Sequence, residues 1–217
     1  MVYRAAIFDF DGTVARTEEG ITRSVAHALN ALGKPVPDAA TLRRFIGPPL
    51  YASFMDITHL SPEEAERAVA LYRERYGTIG LYEAEIYSGL PEMLVALRAE
   101  GMYTCVASGK PEAFLRRIIA RFEMEALFDA VAGPDPGSHS SDKSGEILRA
   151  LPEGVSPAQA CMVGDRRFDI ESGKKLGMTT VGVTWGYGDR EELQRAGADF
   201  IVEDVDRLTA LLRYGDQ

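Results

Sequence analysis

Two kinds of hydrophobic pattern follow one another along the chain, and the change from one to the other divides it. Residues 5–8 form an unbroken apolar run, Ala-Ala-Ile-Phe, short and free of polar alternation, which predicts a strand buried on both faces. Over 17–32 the apolar side chains recur at Ile21, Val25, Ala28, Leu29 and Leu32, the spacing of an amphipathic helix, closed by Gly33. Two short helices are expected over 41–45 and 50–55, joined by a turn at Gly47, Pro48 and Pro49. Ser61, Pro62 and Glu64 form the signature of a capped helix start, and this helix is expected to run to Tyr76 and stop at Gly77. The whole stretch 15–86 is therefore expected to be helical. Beyond it strands and helices take turns. A helix from Pro91 to near Gly101 precedes a strand at 103–107, a helix at 111–122, a strand at 130–132 and a loop rich in Gly, Pro and Ser. A helix after Asp142, a strand at 161–163, a helix near Phe168 and a strand at 179–183 follow, then a helix from Arg190, a strand at 200–202 and a last helix from Asp204. This alternation predicts an α/β fold with a parallel sheet and helices on both faces. The early helices are then an insertion directly after the first strand, overhanging the carboxyl edge where open α/β sheets bind ligands.

The ends of the predicted strands carry the polar chemistry. Asp9 and Asp11 leave the first strand two residues apart, and side chains at that spacing point the same way. Two carboxylates about 4 Å apart at an effective dielectric of about 20 repel by roughly 4 kcal/mol, so a cation or a shared proton must compensate. A solvated acidic turn is the plain alternative. Ser108, Gly109 and Lys110 follow the strand at 103–107, Lys143 follows the strand at 130–132, and Gly164, Asp165 and Asp169 follow the strand at 161–163. Taken singly, Ser108 suits a helix start, Lys143 suits a surface, and Asp165 with Asp169 favours a helix N-terminus through its dipole. Parallel strands present their ends on one edge, so these separated groups converge.

Composition narrows the partners. With 217 residues there is material for one full core and a smaller satellite, and 46 % hydrophobic with 26 % charged residues excludes disordered and collagen-like chains. A formal charge of −9 disfavours nucleic acid and anionic membranes, and any phosphate site needs local help from a metal or particular lysines. No apolar run approaches the roughly 20 residues of a membrane span and the start lacks a signal-peptide pattern, so a soluble, cytoplasmic protein is expected. Cys105 and Cys161 lie inside apolar runs and read as core filling. Residues 137–144 come near a nucleotide-phosphate loop, but Asp142 takes the place of its second glycine, where a carboxylate opposes a triphosphate and suits a helix cap. His27, His59 and His139 lack metal-ligand spacing; His139, in the loop before Lys143, reads as a solvated histidine or one near a substrate.

The set of strand ends resembles the phosphohydrolases of the haloacid dehalogenase superfamily over nearly the whole chain. Their first motif, Asp, any residue, Asp, Gly, Thr, is met by Asp9, Phe10, Asp11, Gly12 and Thr13. Their Ser or Thr corresponds to Ser108, their lysine to Lys143, and their closing Gly, Asp, three residues, Asp to Gly164, Asp165 and Asp169. The resemblance implies a Rossmann-like core from 1–14 and 87–217 and an all-helical cap from 15–86. It implies Asp9 as nucleophile and Asp11 as acid and base, with Ser108 and Lys143 receiving the phosphoryl group. It also implies Mg²⁺ held by the carboxylates of Asp9 and Asp165 and the main-chain carbonyl of Asp11, with Asp169 orienting Lys143 or a metal-bound water. Thr13, Gly109, Lys110, Arg16 and Gly47 are candidate substrate-binding positions, and Arg23, Arg44, Arg73 and Tyr76 are further cap positions to follow.

Two positions depart from the family pattern. Gly109 offers only a backbone amide where Asn or Ser is common, and Arg16 stands where many relatives are acidic. Arg16 is expected either to extend positive charge toward a second anionic group or to sit exposed at the hinge. Residues 182–188, with Trp185, Gly186 and Tyr187, resemble phosphoglycolate phosphatases, whereas 46–50 and 164–170 resemble a branch labelled as 5′-nucleotidases. The expectation is a Mg²⁺-dependent phosphomonoesterase acting through an aspartyl phosphate on a small phosphorylated metabolite, phosphoglycolate or a nucleoside monophosphate among the candidates. A sugar phosphomutase and a non-catalytic regulator binding Mg²⁺ and a phospho-ligand are the alternatives, though Asp11 favours a phosphate ester over a halide and argues against a pure binder. No nucleic acid or membrane partner is expected, and monomer and homodimer are both open.

Overall fold

The computed structural model describes residues 3–134 and 140–215. In chain order the elements are β1 (Ala5–Phe8), β2 (Ala15–Arg16), α1 (Glu18–Ala31), α2 (Ala39–Arg43), α3 (Leu50–Thr58), α4 (Pro62–Thr78), β3 (Glu85–Ile86), α5 (Leu90–Ala99) and β4 (Tyr103–Ala107). They continue with α6 (Glu112–Arg121), β5 (Ala130–Ala132), α7 (Ser144–Ala150), β6 (Ala160–Gly164), α8 (Arg167–Lys175), β7 (Thr179–Val183), α9 (Arg190–Arg195), β8 (Phe200–Val202) and α10 (Val205–Tyr214). Two compact units result. Of the described residues, the first is formed by 3–16, 86–134 and 142–215, the second by 17–85 with 140–141.

The first unit is built on a six-stranded sheet in the order β5-β4-β1-β6-β7-β8, every pair parallel. Phe8 of β1 is in register with Val106 of β4 on one side and with Val163 of β6 on the other. Chain order therefore runs outward in both directions from β1, which is the switch point of a Rossmann-like sheet. Ala5 and Ile7 share a cluster with Cys105, Ala107 and Met162, on which Ile147 and Ala150 of α7 pack. The alternate residues Ala6, Phe8, Val106 and Val163 face the other way and are equally inaccessible. Burial on both faces explains why these strands read as continuous apolar runs. Both cysteines lie in this interior, where burial pushes each thiol up to about 12.

In the second unit α1 and α3 pack on α4. The start of α4 carries the capping box read from the sequence: Glu64 N donates to Ser61 Oγ at 3.2 Å and Ser61 N to Glu64 Oε2 at 3.0 Å. Tyr72 and Tyr76, one turn apart, stack with ring centres 5.2 Å apart, and Arg75 grips Glu83 with two hydrogen bonds of 2.9 and 3.0 Å.

Three sequence expectations need correction. The stretch 15–86 is not wholly helical, because Ala15–Arg16 and Glu85–Ile86 pair as a two-stranded sheet; strands of two residues are made by pairing and leave no periodicity to read. Helix α4 passes Gly77 and ends at Thr78, since glycine weakens a helix without forbidding it. Helix α3 extends three residues past 55 and ends where His59 turns left-handed, at φ 54°. The near-phosphate loop at Gly137 and His139 lie outside the described residues. No helix among the described residues is long and apolar enough to cross a membrane.

Candidate active site

The carboxyl edge of the sheet, at β1 and its neighbours, gathers the polar residues. Asp9 N donates to Val163 O at 2.9 Å, carrying the β1–β6 ladder one residue past the strand and setting Asp9 beside the loop that bears Asp165. The chain then turns tightly, with the amides of Thr13, Val14 and Ala15 all donating to Phe10 O. Gly12 occupies this turn at φ 85°, and a Cβ there would stand 2.3 Å from Asp165 Oδ2. Glycine is needed here for its backbone angle and for the close approach of a carboxylate. Gly164 plays a matching part, since a Cβ there would stand 2.2 Å from Asp169 Cγ.

Three buried carboxylates, Asp9, Asp165 and Asp169, present oxygens within 4.8 Å of one another. At that separation and an effective dielectric of about 20, each like-charged pair costs about 3.5 kcal/mol. Among the described residues one ammonium stands between them. Lys143 Nζ lies 2.6 Å from Asp169 Oδ1 and 2.8 Å from Asp9 Oδ1. Burial works against the charge on Lys143, but Asp169 and Asp9 outweigh it and hold its pKa above the ordinary lysine value. Burial, then the charges of Asp9 and Asp169, pushes the Asp165 carboxyl up to about 8. Burial raises Asp169 as well, against the pull of Lys143. The cluster thus holds an excess of negative charge in an all-oxygen environment, the condition that a hard divalent cation corrects. Asp9 Oδ1 is buried and its one close partner is the Lys143 ammonium, while the buried Asp11 Oδ1 receives no hydrogen bond among the described residues.

Each carboxylate has its own supports. Asp165 accepts the Thr13 hydroxyl on Oδ1 at 3.2 Å and the Tyr187 amide on Oδ2 at 2.7 Å. Asp169 Oδ2 accepts Arg166 N at 3.0 Å, so both Asp169 oxygens are engaged within the protein. Asp11 pairs with a different lysine, Lys110, at 2.9 Å between Oδ2 and Nζ. Lys110 N lies 3.4 Å from Ser108 Oγ, and Ser108 N continues the sheet by donating to Ala132 O. Helix α8 holds Lys143 at both ends: Asp169 takes Nζ, and Ser172, one turn on, accepts Lys143 N at 3.0 Å. Asp142 accepts Ser144 N at 2.9 Å and the Lys175 ammonium at 2.6 Å, fixing the turn into α7.

Direct contacts thus join Asp9, Lys143 and Asp169 in one set, Thr13 and Asp165 in a second, and Asp11, Lys110 and Ser108 in a third, all in the first unit. Thr13 is wholly buried and its hydroxyl donates to Asp165. Gly109 is exposed between Ser108 and Lys110. Arg16 is exposed, its guanidinium 5.5 Å from the centre of the Tyr87 ring. Gly47, Arg23, Arg44, Arg73 and Tyr76 belong to the second unit. There Tyr76 is an interior residue, Arg23 is tied to Glu19 and Glu83, Arg44 is exposed, and Gly47 adopts φ 104°. Sequence reading missed Ser172 and the Tyr187 amide. A serine on a helix and a backbone N–H carry no motif, and only the spacing of 169 and 172 on one helix face hinted at a shared target.

Residues 6–183 match the model of the haloacid dehalogenase-like hydrolases. The chain belongs to this family. It is 39 % identical to a 5′-nucleotidase of Pseudomonas aeruginosa over 194 residues, 88 % of this chain and 87 % of the relative. It is 32 % identical over 196 residues to the tyrosine-protein kinase PtkA of Mycobacterium tuberculosis, 90 % of this chain and 67 % of that one. Among solved structures, one described as a predicted phosphatase from Clostridium acetobutylicum superposes with a TM-score of 0.91 at 36 % identity, over 98 % of this chain and 99 % of that one. The four polar strand ends of this haloacid dehalogenase-like hydrolase all fall within the matched span.

Proposed function

We propose that this hydrolase is a Mg²⁺-dependent phosphomonoesterase that cleaves the phosphate ester of a small metabolite through an aspartyl phosphate, with nucleoside monophosphates as the first class to test. The observation that carries the reading is the separate pairing of the two motif carboxylates: Asp9 with Lys143 beside Asp165, and Asp11 with Lys110. Two carboxylates of one loop in different surroundings suit two different roles.

In the first half of the reaction a carboxylate oxygen of Asp9 attacks phosphorus while the ester P–O bond breaks, and Asp11 gives its proton to the departing oxygen. In the second half Asp11 takes a proton from water as the water oxygen bonds to phosphorus and the bond to Asp9 breaks. Inorganic phosphate leaves, and both carboxyl groups return to their first state. Lys143 supplies fixed positive charge, and the Ser108 hydroxyl with the amides that follow it donates to the phosphoryl oxygens. Asp9, Asp165 and the main-chain carbonyl of Asp11 would hold Mg²⁺, which supplies charge neutralisation at the phosphoryl oxygens when bound. Asp169 keeps Lys143 in place. The helical unit, inserted in the chain directly after the nucleophile loop, is read as the cap that selects the substrate.

The 39 % identity to a 5′-nucleotidase and the likeness to a phosphatase structure support hydrolysis over phosphomutation. The test is phosphate release from a panel of nucleoside monophosphates, phosphoglycolate and sugar phosphates, with and without Mg²⁺. Stoichiometric free phosphate that disappears in Asp9→Asn is the expected result. Release that survives Asp9→Asn would rule out the aspartyl phosphate, and phosphoryl return to substrate would point to a mutase.

A further inference from the structure

The loop that follows β7 closes a ring of hydrogen bonds around the candidate site. Trp185 Nε1 donates to the main-chain oxygen of Thr13 at 3.1 Å. The Thr13 hydroxyl donates to Asp165 Oδ1 at 3.2 Å, and Asp165 Oδ2 accepts the amide of Tyr187 at 2.7 Å, two residues beyond the tryptophan. Gly186 fills the centre of this ring. A Cβ there would stand 2.4 Å from Asp165 Cβ and 2.5 Å from Gly12 O, so the loop backbone lies directly against both the carboxylate and the nucleophile turn. Tyr87 holds the loop from another direction: its hydroxyl donates to Trp185 O at 3.2 Å, its amide donates to Val14 O at 3.1 Å, and the two rings meet edge to face at 6.3 Å.

We propose that Trp185 is a positioning residue and that Trp185, Gly186 and Tyr187 form a strap holding the Asp9–Thr13 turn and Asp165 in one fixed relation. The strap touches no reacting atom; it acts by fixing where Asp9 and Asp165 stand with respect to each other. Displacement of reacting groups by about 1 Å can cost roughly a hundredfold in rate, so a single neutral hydrogen bond that limits such drift is worth about tenfold. Trp185 is also the sole tryptophan of the chain, which gives the strap its own spectroscopic signal. The activity part of the proposal rests on the phosphomonoesterase reading, whereas the spectroscopic part does not.

The experiment has two arms. Trp185→Phe keeps an aromatic ring and deletes the N–H. It is expected to lower kcat about tenfold while KM for the best phosphate ester of the panel stays within about twofold and the thermal midpoint is nearly unchanged. In the unaltered protein, tryptophan emission is expected to change saturably as Mg²⁺ is added and to stay flat in Asp165→Asn. A folded Trp185→Phe with wild-type kcat, or one that raises KM alone, overturns the proposal. So does emission in the unaltered protein that Mg²⁺ leaves unchanged, and this arm decides the matter if Trp185→Phe does not fold. Absence of phosphate release by the unaltered protein would instead refute the functional reading, with the emission arm still deciding on the strap.

Discussion

A methyl group added at Gly12 separates two effects that glycine substitutions usually mix. Gly12 and Gly177 both adopt left-handed backbone, at φ 85° and 73°, so alanine at either position carries a strain of about 1–2 kcal/mol. Gly177, in the turn between α8 and β7, has nothing within 4 Å of the added carbon. At Gly12 the same carbon would lie 2.3 Å from Asp165 Oδ2 and 2.7 Å from Tyr187 Cδ2, so the carboxylate must retreat by roughly 1 Å from a van der Waals argument alone. That retreat stretches both hydrogen bonds to Asp165, from the Thr13 hydroxyl and the Tyr187 amide, each worth about 0.5–1.5 kcal/mol. For a chain of this size 1 kcal/mol moves the melting temperature by about 2–4 °C. Gly177→Ala is therefore expected to melt about 2–8 °C lower with kcat/KM unchanged. Gly12→Ala is expected to melt lower still and to lose about a hundredfold or more in kcat/KM, since it displaces a group that positions the reacting atoms. Differential scanning fluorimetry with initial-rate phosphate release on both variants checks this. Equal kcat/KM for the two would refute the claim that Gly12 is required by Asp165.

Two further outcomes follow from the surroundings of Lys143 and Asp165. Ser172→Ala leaves the buried amide of Lys143 without its acceptor, at a cost of about 1–3 kcal/mol, and loosens the lysine backbone; a lower urea midpoint together with a lower kcat is expected, and an unaltered kcat would deny Ser172 any part in placing Lys143. The pH dependence follows from the Asp165 carboxyl being pushed up to about 8 by burial and its acidic neighbours. A raised carboxyl pKa favours the protonated folded state, so the stabilisation is whole below about pH 4 and is lost as pH rises through about 8. In a chelator the urea midpoint should fall between about pH 5 and pH 8, and saturating Mg²⁺ should flatten that fall; parallel profiles with and without the ion would contradict the assignment.

The strand at Ala5–Phe8 and the acids beyond it were readable because burial on both faces leaves an apolar run, and a parallel sheet has to put its strand ends on one edge. The capping box at Ser61 was readable because its three residues are local. What escaped reading is made by contacts between distant segments. Lys110 was read as a candidate substrate-binding position, and no local pattern recorded its ion pair with Asp11, 99 positions earlier. The two-residue strands at Ala15 and Glu85 exist only as a pair. Ser172 and the Tyr187 amide serve Lys143 and Asp165 across 29 and 22 positions, and no local pattern records such a partner.

The place of β1 between β4 and β6 also orders how the site comes into being. Asp165 follows Asp9 by 156 positions and cannot stand beside it until β6 has zipped onto β1. Loop closure over so long a separation comes late in folding. Until then Asp9 and Asp165 lie apart, so under the proposed mechanism phosphate release becomes a readout of a completed sheet.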